Sequence, residues 1–115
     1  MLINMLKSKI HRATVTEKNL DSEGSISIDE KLLIKSNIAE YEKVQVVNIN
    51  NGNRFETYVI KAKNGSGTIC LNGAAARLAE NGDIVVILAY TWVDEHVSKN
   101  LQPKIIHVDS KNNPV

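Results

Sequence analysis

Residues 44–63 read VQVVNINNGNRFETYVIKAK, two runs rich in β-branched residues on either side of Asn51-Gly52. Each run alternates in the period of two that belongs to a half-buried strand. Asn and Gly both tolerate positive φ, so the pair between them predicts a hairpin joining strands over 44–50 and 54–63. The same period extends outward on both sides. Leu6 to Thr16 alternates well enough for a strand, which sets Lys7, Lys9 and His11 on one face, either solvated or shaped to hold an anion. DIVVILAYTWV, 83–93, is a continuous apolar strand of the kind buried on both faces or at a subunit contact, and KIIHVD, 104–109, supplies a last one.

Helical signals are short and few. Ser27 and Glu30 have capping-box spacing ahead of KLLIKSN, which predicts a helix ending near Asn37. GAAARLAENG predicts another from about Ala74 to Glu80, with Asn72 as its cap and Gly82 as its stop. Asn64-Gly65-Ser66-Gly67 is a turn, and the polar tail SKNNPV is expected to be loose. Helices this small cannot cover a parallel sheet. The fold expected is therefore mainly β, a closed barrel with a few short helices, and the 115 residues form a single domain.

Composition narrows the function. The hydrophobic fraction is 43%, with only 4% aromatic, and the formal charge is +1. No basic block offers a field for a nucleic-acid backbone, and no stretch approaches the roughly 18 apolar residues of a membrane span, so neither partner is expected. The amino-terminal MLINMLKSKIHR is charged too early for a signal peptide, which points to the cytoplasm. A single cysteine, Cys70, lies in the apolar run TICLN and reads as a buried, inert thiol. His11, His96 and His107 are scattered, no Cys/His cluster has zinc spacing, and no glycine-rich phosphate loop is present, so no metal is expected.

One stretch does not fit a purely structural account. In LDSEGSISIDE, 20–30, a serine follows a glycine directly at the mouth of a strand. A turn explains it, yet Ser25 lacks the G-x-S-x-G context of a hydrolase nucleophile. Taken together, KIHRATVTEKNL, EGSISID, NGNRFETYVI and ICLNGAAARLAENGDIVVILAY, in this order and at these separations, resemble the pyruvoyl-dependent aspartate 1-decarboxylases of bacteria. The resemblance runs from about residue 4 to residue 109.

That resemblance implies a double-psi β-barrel, assembled as a homotetramer, making β-alanine from L-aspartate for pantothenate and coenzyme A. It implies self-cleavage between Gly24 and Ser25 into a 1–24 β chain and a 25–115 α chain. In such a step the Ser25 hydroxyl attacks the Gly24 carbonyl to give an ester; β-elimination and hydrolysis then release ammonia and leave a pyruvoyl group at residue 25. This cofactor forms a Schiff base with the substrate and takes the place of pyridoxal phosphate. A glycine at 24 would allow close approach and strained backbone angles.

The resemblance also assigns roles. Thr57 and Asn72 would stabilise the oxyanion of self-processing, although the residues alone read as a strand β-branched residue and a helix cap. Tyr58 would protonate the α-carbon, where the residue alone reads as a core aromatic. Arg54 and Lys9 would take the substrate carboxylates, with Thr57 and the backbone amides of Gly73, Ala74 and Ala75 beside them, and His11 either lines that site or is structural. Thr57 and Tyr58 are adjacent and point to opposite faces of a regular strand, which requires a bulge or, the reading favoured, two sites across a subunit boundary. Ser22 and Val47 stand where many members carry Tyr and some carry Trp. Their presence removes aromatic packing but none of the nucleophile, the acid or the cations. The alternatives are an uncleaved barrel acting as a binding module, and a pyruvoyl decarboxylase of another acidic amino acid such as glutamate.

Overall fold

The hairpin at 44–63 is present. In a computed structural model that describes residues 1–115, β4 (Lys43–Asn48) and β5 (Arg54–Ala62) pair antiparallel from Lys43 opposite Tyr58 to Val47 opposite Arg54. Its tip is longer than a two-residue turn, because only Gly52 takes positive φ (78°) and Asn51 does not. Asparagines carry the loop instead. The side chains of Asn48 and Asn51 accept from the amides of Asn50 and Asn53, and the amides of Asn48, Asn51 and Asn53 all donate to the Leu78 carbonyl at 3.1–3.2 Å.

The other elements are β1 (Leu2–Thr14), β2 (Glu17–Asn19), β3 (Ser25–Asp29), α1 (Glu30–Ser36), β6 (Ile69–Asn72), a 3₁₀ helix (Gly73–Leu78), β7 (Ile84–Asp94), α2 (Glu95–Ser98) and β8 (Lys104–His107). The strands form one sheet in the order β2-β6-β3-β5-β4-β7-β1-β8. Only Val15 and Thr16 separate β1 from β2, yet these strands stand seventh and first in that order. So short a link forces the sheet to roll up. Inside it lies a single cluster of 20 buried apolar residues, among them Ile10, Ile26, Val46, Val59, Leu71 and Ile87 from the strands and Leu32 and Leu33 from α1. The mainly β barrel with a few short helices agrees with the expected double-psi class; β1–β8, β2–β6 and β3–β5 are its parallel pairs.

Four local expectations are corrected. The cap of α1 is Asp29, whose carboxylate accepts from Lys31 N, while Ser27 lies inside β3; the Asn37 stop is present, in left-handed conformation. The 74–80 helix is a 3₁₀ helix ending at Leu78, since Ala79 is already extended, and Asn72 makes no capping bond to it. The alternation in β1 breaks at a bulge between Leu6 and Ser8, and Lys7 leaves the expected cationic face for an ion pair with Glu42 at 2.8 Å. The tail is anchored: Asn112 is fully buried, accepts from Thr14 N and donates to the carbonyls of Thr14 and Gly67.

Asp29 ties the cap to the loop before β6. Fully buried, it accepts from Lys31 N at 2.8 Å, Gly65 N at 2.9 Å and Gly67 N at 2.8 Å. Burial raises its pKa, but the amides of Gly67, Gly65 and Lys31 and the Lys31 ammonium outweigh it and hold the carboxyl below its usual value of 3.8. A lowered folded pKa means stabilisation that is complete above 3.8 and lost as pH falls through the folded value. Asp29→Asn is expected to cost about 3 kcal/mol in denaturant titration at neutral pH, because an amide nitrogen would face donors. The variant should also lose part of the acid-induced fall in stability.

Candidate active site

The site starts from a strand register. β3 and β6 pair antiparallel with Ser25 opposite Asn72 and Ser27 opposite Cys70, so these four side chains lie together on one face. Ser25 is buried, 4% exposed. The Asn72 amide donates to Ser25 Oγ at 2.9 Å and to Ser27 Oγ at 3.0 Å, while its Oδ1 accepts from the Cys70 thiol at 3.4 Å. It is therefore Ser25 Oγ, not the Gly24 carbonyl, that Asn72 touches.

Gly24 is held from the other side. Gly73 has φ +65°, and a Cβ there would lie 2.8 Å from the Cα and N of Gly24 and from the Ser22 carbonyl oxygen. A Cβ on Gly24 would meet nothing within 4 Å, and its φ is not in the left-handed region. The close approach and strained angles expected of Gly24 thus belong to Gly73. Gly73→Ala is expected to cost at least about 2 kcal/mol in a thermal melt, whereas Gly24→Ala should stay within about 0.5 kcal/mol of the parent chain.

Gly24 opens onto a cavity of about 350 Å³ that Thr57, Tyr58, Ala74, Ala75 and Leu78 also line. Thr57 and Tyr58 reach it together without a bulge, for the β4–β5 register is unbroken through both. The reason is an open edge. β3 pairs with β5 only from Ile26 opposite Val59 onward, which leaves the stretch of β5 before Val59 unpaired on that side, and both faces of the strand border the space beside it. No subunit boundary is needed to bring these two residues to one cavity. Phe55 and Glu56 complete its wall and were not anticipated, although their place beside Thr57 was a signal. A larger groove of about 600 Å³, bordered by Gln45, Glu56, Tyr90 and Trp92, includes neither Gly24 nor Tyr58, and the buried Ser25 lines neither space.

Comparison with known proteins bears on this geometry. The model of the aspartate decarboxylase family matches residues 1–115. The chain belongs to that family. It is 61% identical over 112 residues to an aspartate 1-decarboxylase of Acetivibrio thermocellus, covering 97% of this chain and 89% of the relative. It is 64% identical over 112 residues to that of Caldicellulosiruptor saccharolyticus, covering 97% and 88%, and 58% identical over 113 residues to one of Clostridium botulinum strain Loch Maree, covering 98% and 89%.

In this family member the expected cations stand apart from the cavity. Lys9, Arg54 and His11 do not line it. Lys9 sits opposite Leu88, Leu88 opposite Gln45, and Gln45 opposite Glu56, so Lys9 shares one row across the sheet with Glu56. Arg54 begins β5, where its Nη1 donates to Gln45 Oε1 at 3.1 Å. The lysine–carboxylate pairs of the chain use Lys7, Lys18, Lys43 and Lys61, which leaves Lys9 and Arg54 uncommitted to any carboxylate. His11 packs edge-on against His107 with centroids 5.3 Å apart, and its buried Nδ1 has no partner. Burial first, then Lys9, His107 and Arg12, lowers its pKa below 6.5, so near neutral pH it is an uncharged ring and a poor anion ligand. Val47 is half-buried opposite both Arg54 and Val86. No helix is long and apolar enough to cross a membrane, and no group of three or more His, Cys, Asp or Glu side chains could hold a metal ion.

Proposed function

We propose that this chain cleaves itself between Gly24 and Ser25 and then decarboxylates L-aspartate at its α-carboxylate, giving β-alanine for pantothenate and coenzyme A synthesis. The observation that carries the reading is the placement of Ser25: a buried hydroxyl fixed by Asn72, following a glycine that opens onto a cavity shared with Thr57 and Tyr58. The residues fit a pyruvoyl group made from Ser25, since the strand end is enclosed while the Gly24 side is open. Once formed, that group supplies a carbonyl that condenses with the substrate amine and takes up the electron pair released with carbon dioxide. No metal or pyridoxal phosphate enters this account.

Each side chain then has a task. Ser25 Oγ attacks the Gly24 carbonyl, Asn72 holds the nucleophile, and the Thr57 hydroxyl on the cavity wall donates to the oxyanion. Tyr58 gives its phenolic proton to the α-carbon. Gly73, Ala74 and Ala75 border the substrate with their backbone, and Arg54 and Lys9 pair with its carboxylates. Because both cations lie away from the cavity of their own chain, a neighbouring copy supplies them in the assembly proposed, a cytoplasmic homotetramer. Exposed apolar residues on β1, β7 and β8, namely Ile3, Tyr90, Trp92 and Ile105, suit such contacts. His11, packed against His107, is a structural residue in this reading. The 1–24 piece would stay in place after cleavage, because β1 pairs along its length with β7 and also with β8.

The test is steady-state kinetics on aspartate and glutamate, read as carbon dioxide release. Aspartate is expected to be the better substrate. Arg54→Lys should raise KM roughly tenfold or more with cleavage intact, since an ammonium cannot pair in two places. Turnover of glutamate alone would move the reading to another acidic amino acid, and an unchanged KM would place the carboxylate elsewhere.

A further inference from the structure

The Asn72 carboxamide is fully used. Both of its N–H groups point at serine hydroxyls, Ser25 and Ser27, and its oxygen accepts from the Cys70 thiol. All of these groups except Ser27 are buried below one-tenth exposure, and Ser27 is half-buried. A carboxamide can turn over in such a place and exchange its nitrogen for its oxygen. In the flipped form its oxygen would face Ser25 and Ser27 and draw the Ser25 proton onto itself. The NH₂ end would then face Cys70, a weak acceptor, and a buried donor would be left poorly paired.

We infer that Cys70 is a positioning residue for self-cleavage: its thiol, a donor but a weak acceptor, locks the Asn72 amide so that Ser25 Oγ can only accept from it. The consequence is directional. With one Ser25 lone pair engaged by Asn72 Nδ2, the hydroxyl proton points away from Asn72, free to leave as Oγ attacks the Gly24 carbonyl. The attack forms the Oγ–C bond, the Gly24–Ser25 C–N bond then breaks to leave an ester, and the proton passes to the departing nitrogen. Cys70 suits this task because burial, with Glu17 adding to it, raises its pKa, so the thiol keeps the proton it donates. Strand alternation explains the assembly: Ser27 follows Ser25 by two, Cys70 precedes Asn72 by two, and the β3–β6 register sets the pairs face to face.

The inference rests on the reading that Gly24–Ser25 is the cleaved bond, so the experiment has two independent readouts on the full chain. Cleavage half-times by mass spectrometry are compared for the parent, Cys70→Ala and Ser27→Ala, with melting temperatures alongside. Cys70→Ala is expected to slow cleavage roughly tenfold, the effect of one misoriented buried hydrogen bond, whereas Ser27→Ala, which removes a hydroxyl indifferent to the amide's orientation, should cleave within about twofold of the parent. In parallel, the Asn72 side-chain NH₂ resonances are followed by NMR in the uncleaved chain. Their protection from solvent exchange should persist in the parent and drop in Cys70→Ala. This second readout holds whether or not the bond is ever cut, so failure of the cleavage reading is visible separately, as a parent chain that never cleaves. A folded Cys70→Ala that keeps the amide protected, or one that cleaves at the parental rate, would overturn the inference. So would a folded Ser27→Ala as slow as the Cys70→Ala variant.

Discussion

Ser25→Ala is expected to give a folded chain that stays at its full 12.7 kDa and releases no carbon dioxide from aspartate. The substitution removes only Oγ. The backbone of residue 25 keeps its pairing with Asn72, and Ile26 to Asp29 keep theirs with β5. The lost hydrogen bond from Asn72 should cost about 1 kcal/mol, and Ser27 still accepts from the same amide. Stability is therefore nearly unchanged while chemistry is lost twice over. Without Oγ there is no nucleophile for the Gly24 carbonyl and no precursor of the ketone, so the loss should be complete rather than a fraction of the rate. A cleaved, active Ser25→Ala protein would refute the role given to this residue.

Tyr58→Phe separates maturation from turnover. Tyr58 is 37% exposed and lines the cavity beside Gly24. Its hydroxyl makes no hydrogen bond to the Ser25–Asn72 pair, which is joined through β3 and β6. Cleavage should then proceed at the parental rate. If the phenol donates the proton to the α-carbon, its removal should lower kcat by about 10²- to 10⁴-fold, the usual contribution of a positioned general acid. KM should change little, because the ring remains to fill its place. Near-normal turnover of the mature variant would remove Tyr58 as the acid and leave Thr57 or water as the donor.

The barrel was legible because strand signals are local. The β-branched alternation of 44–63 and the apolar run of 83–93 reflect burial on a pleated surface, and the few helical segments were too short for any other layering. Features decided by competition between side chains were not legible. Ser27 and Asp29 both had the chemistry of a cap, and Asp29 won because its carboxylate also gathers the amides of Gly65 and Gly67 from a loop 36 residues away. The 74–80 helix stops at Leu78, whose carbonyl is taken by the side-chain amides of Asn48, Asn51 and Asn53 from a distant loop. The tail looked loose because nothing in SKNNPV shows that Asn112 will be buried between Thr14 and Gly67.

The site was legible in part. Ser25, Thr57 and Tyr58 were assigned through family resemblance, and the fold brings Thr57, Tyr58 and Gly24 around one cavity. Alternation along β5 argued that Thr57 and Tyr58 could not share it, an argument that fails where a strand edge lies open. Ser27 was read as a cap and Cys70 as an inert thiol because their meeting at Asn72 depends on the register of β3 against β6, which no single segment encodes. Lys9 and Arg54 stay apart from the cavity in one chain, as residues completing a site in a neighbouring copy would.

The measurement that bears most directly on the central claim is an intact mass spectrum of the purified protein under denaturing conditions. The account predicts two fragments, one ending at Gly24 and one beginning at residue 25 with a pyruvoyl group in place of serine. A single 12.7 kDa species that persists after prolonged warming would contradict it.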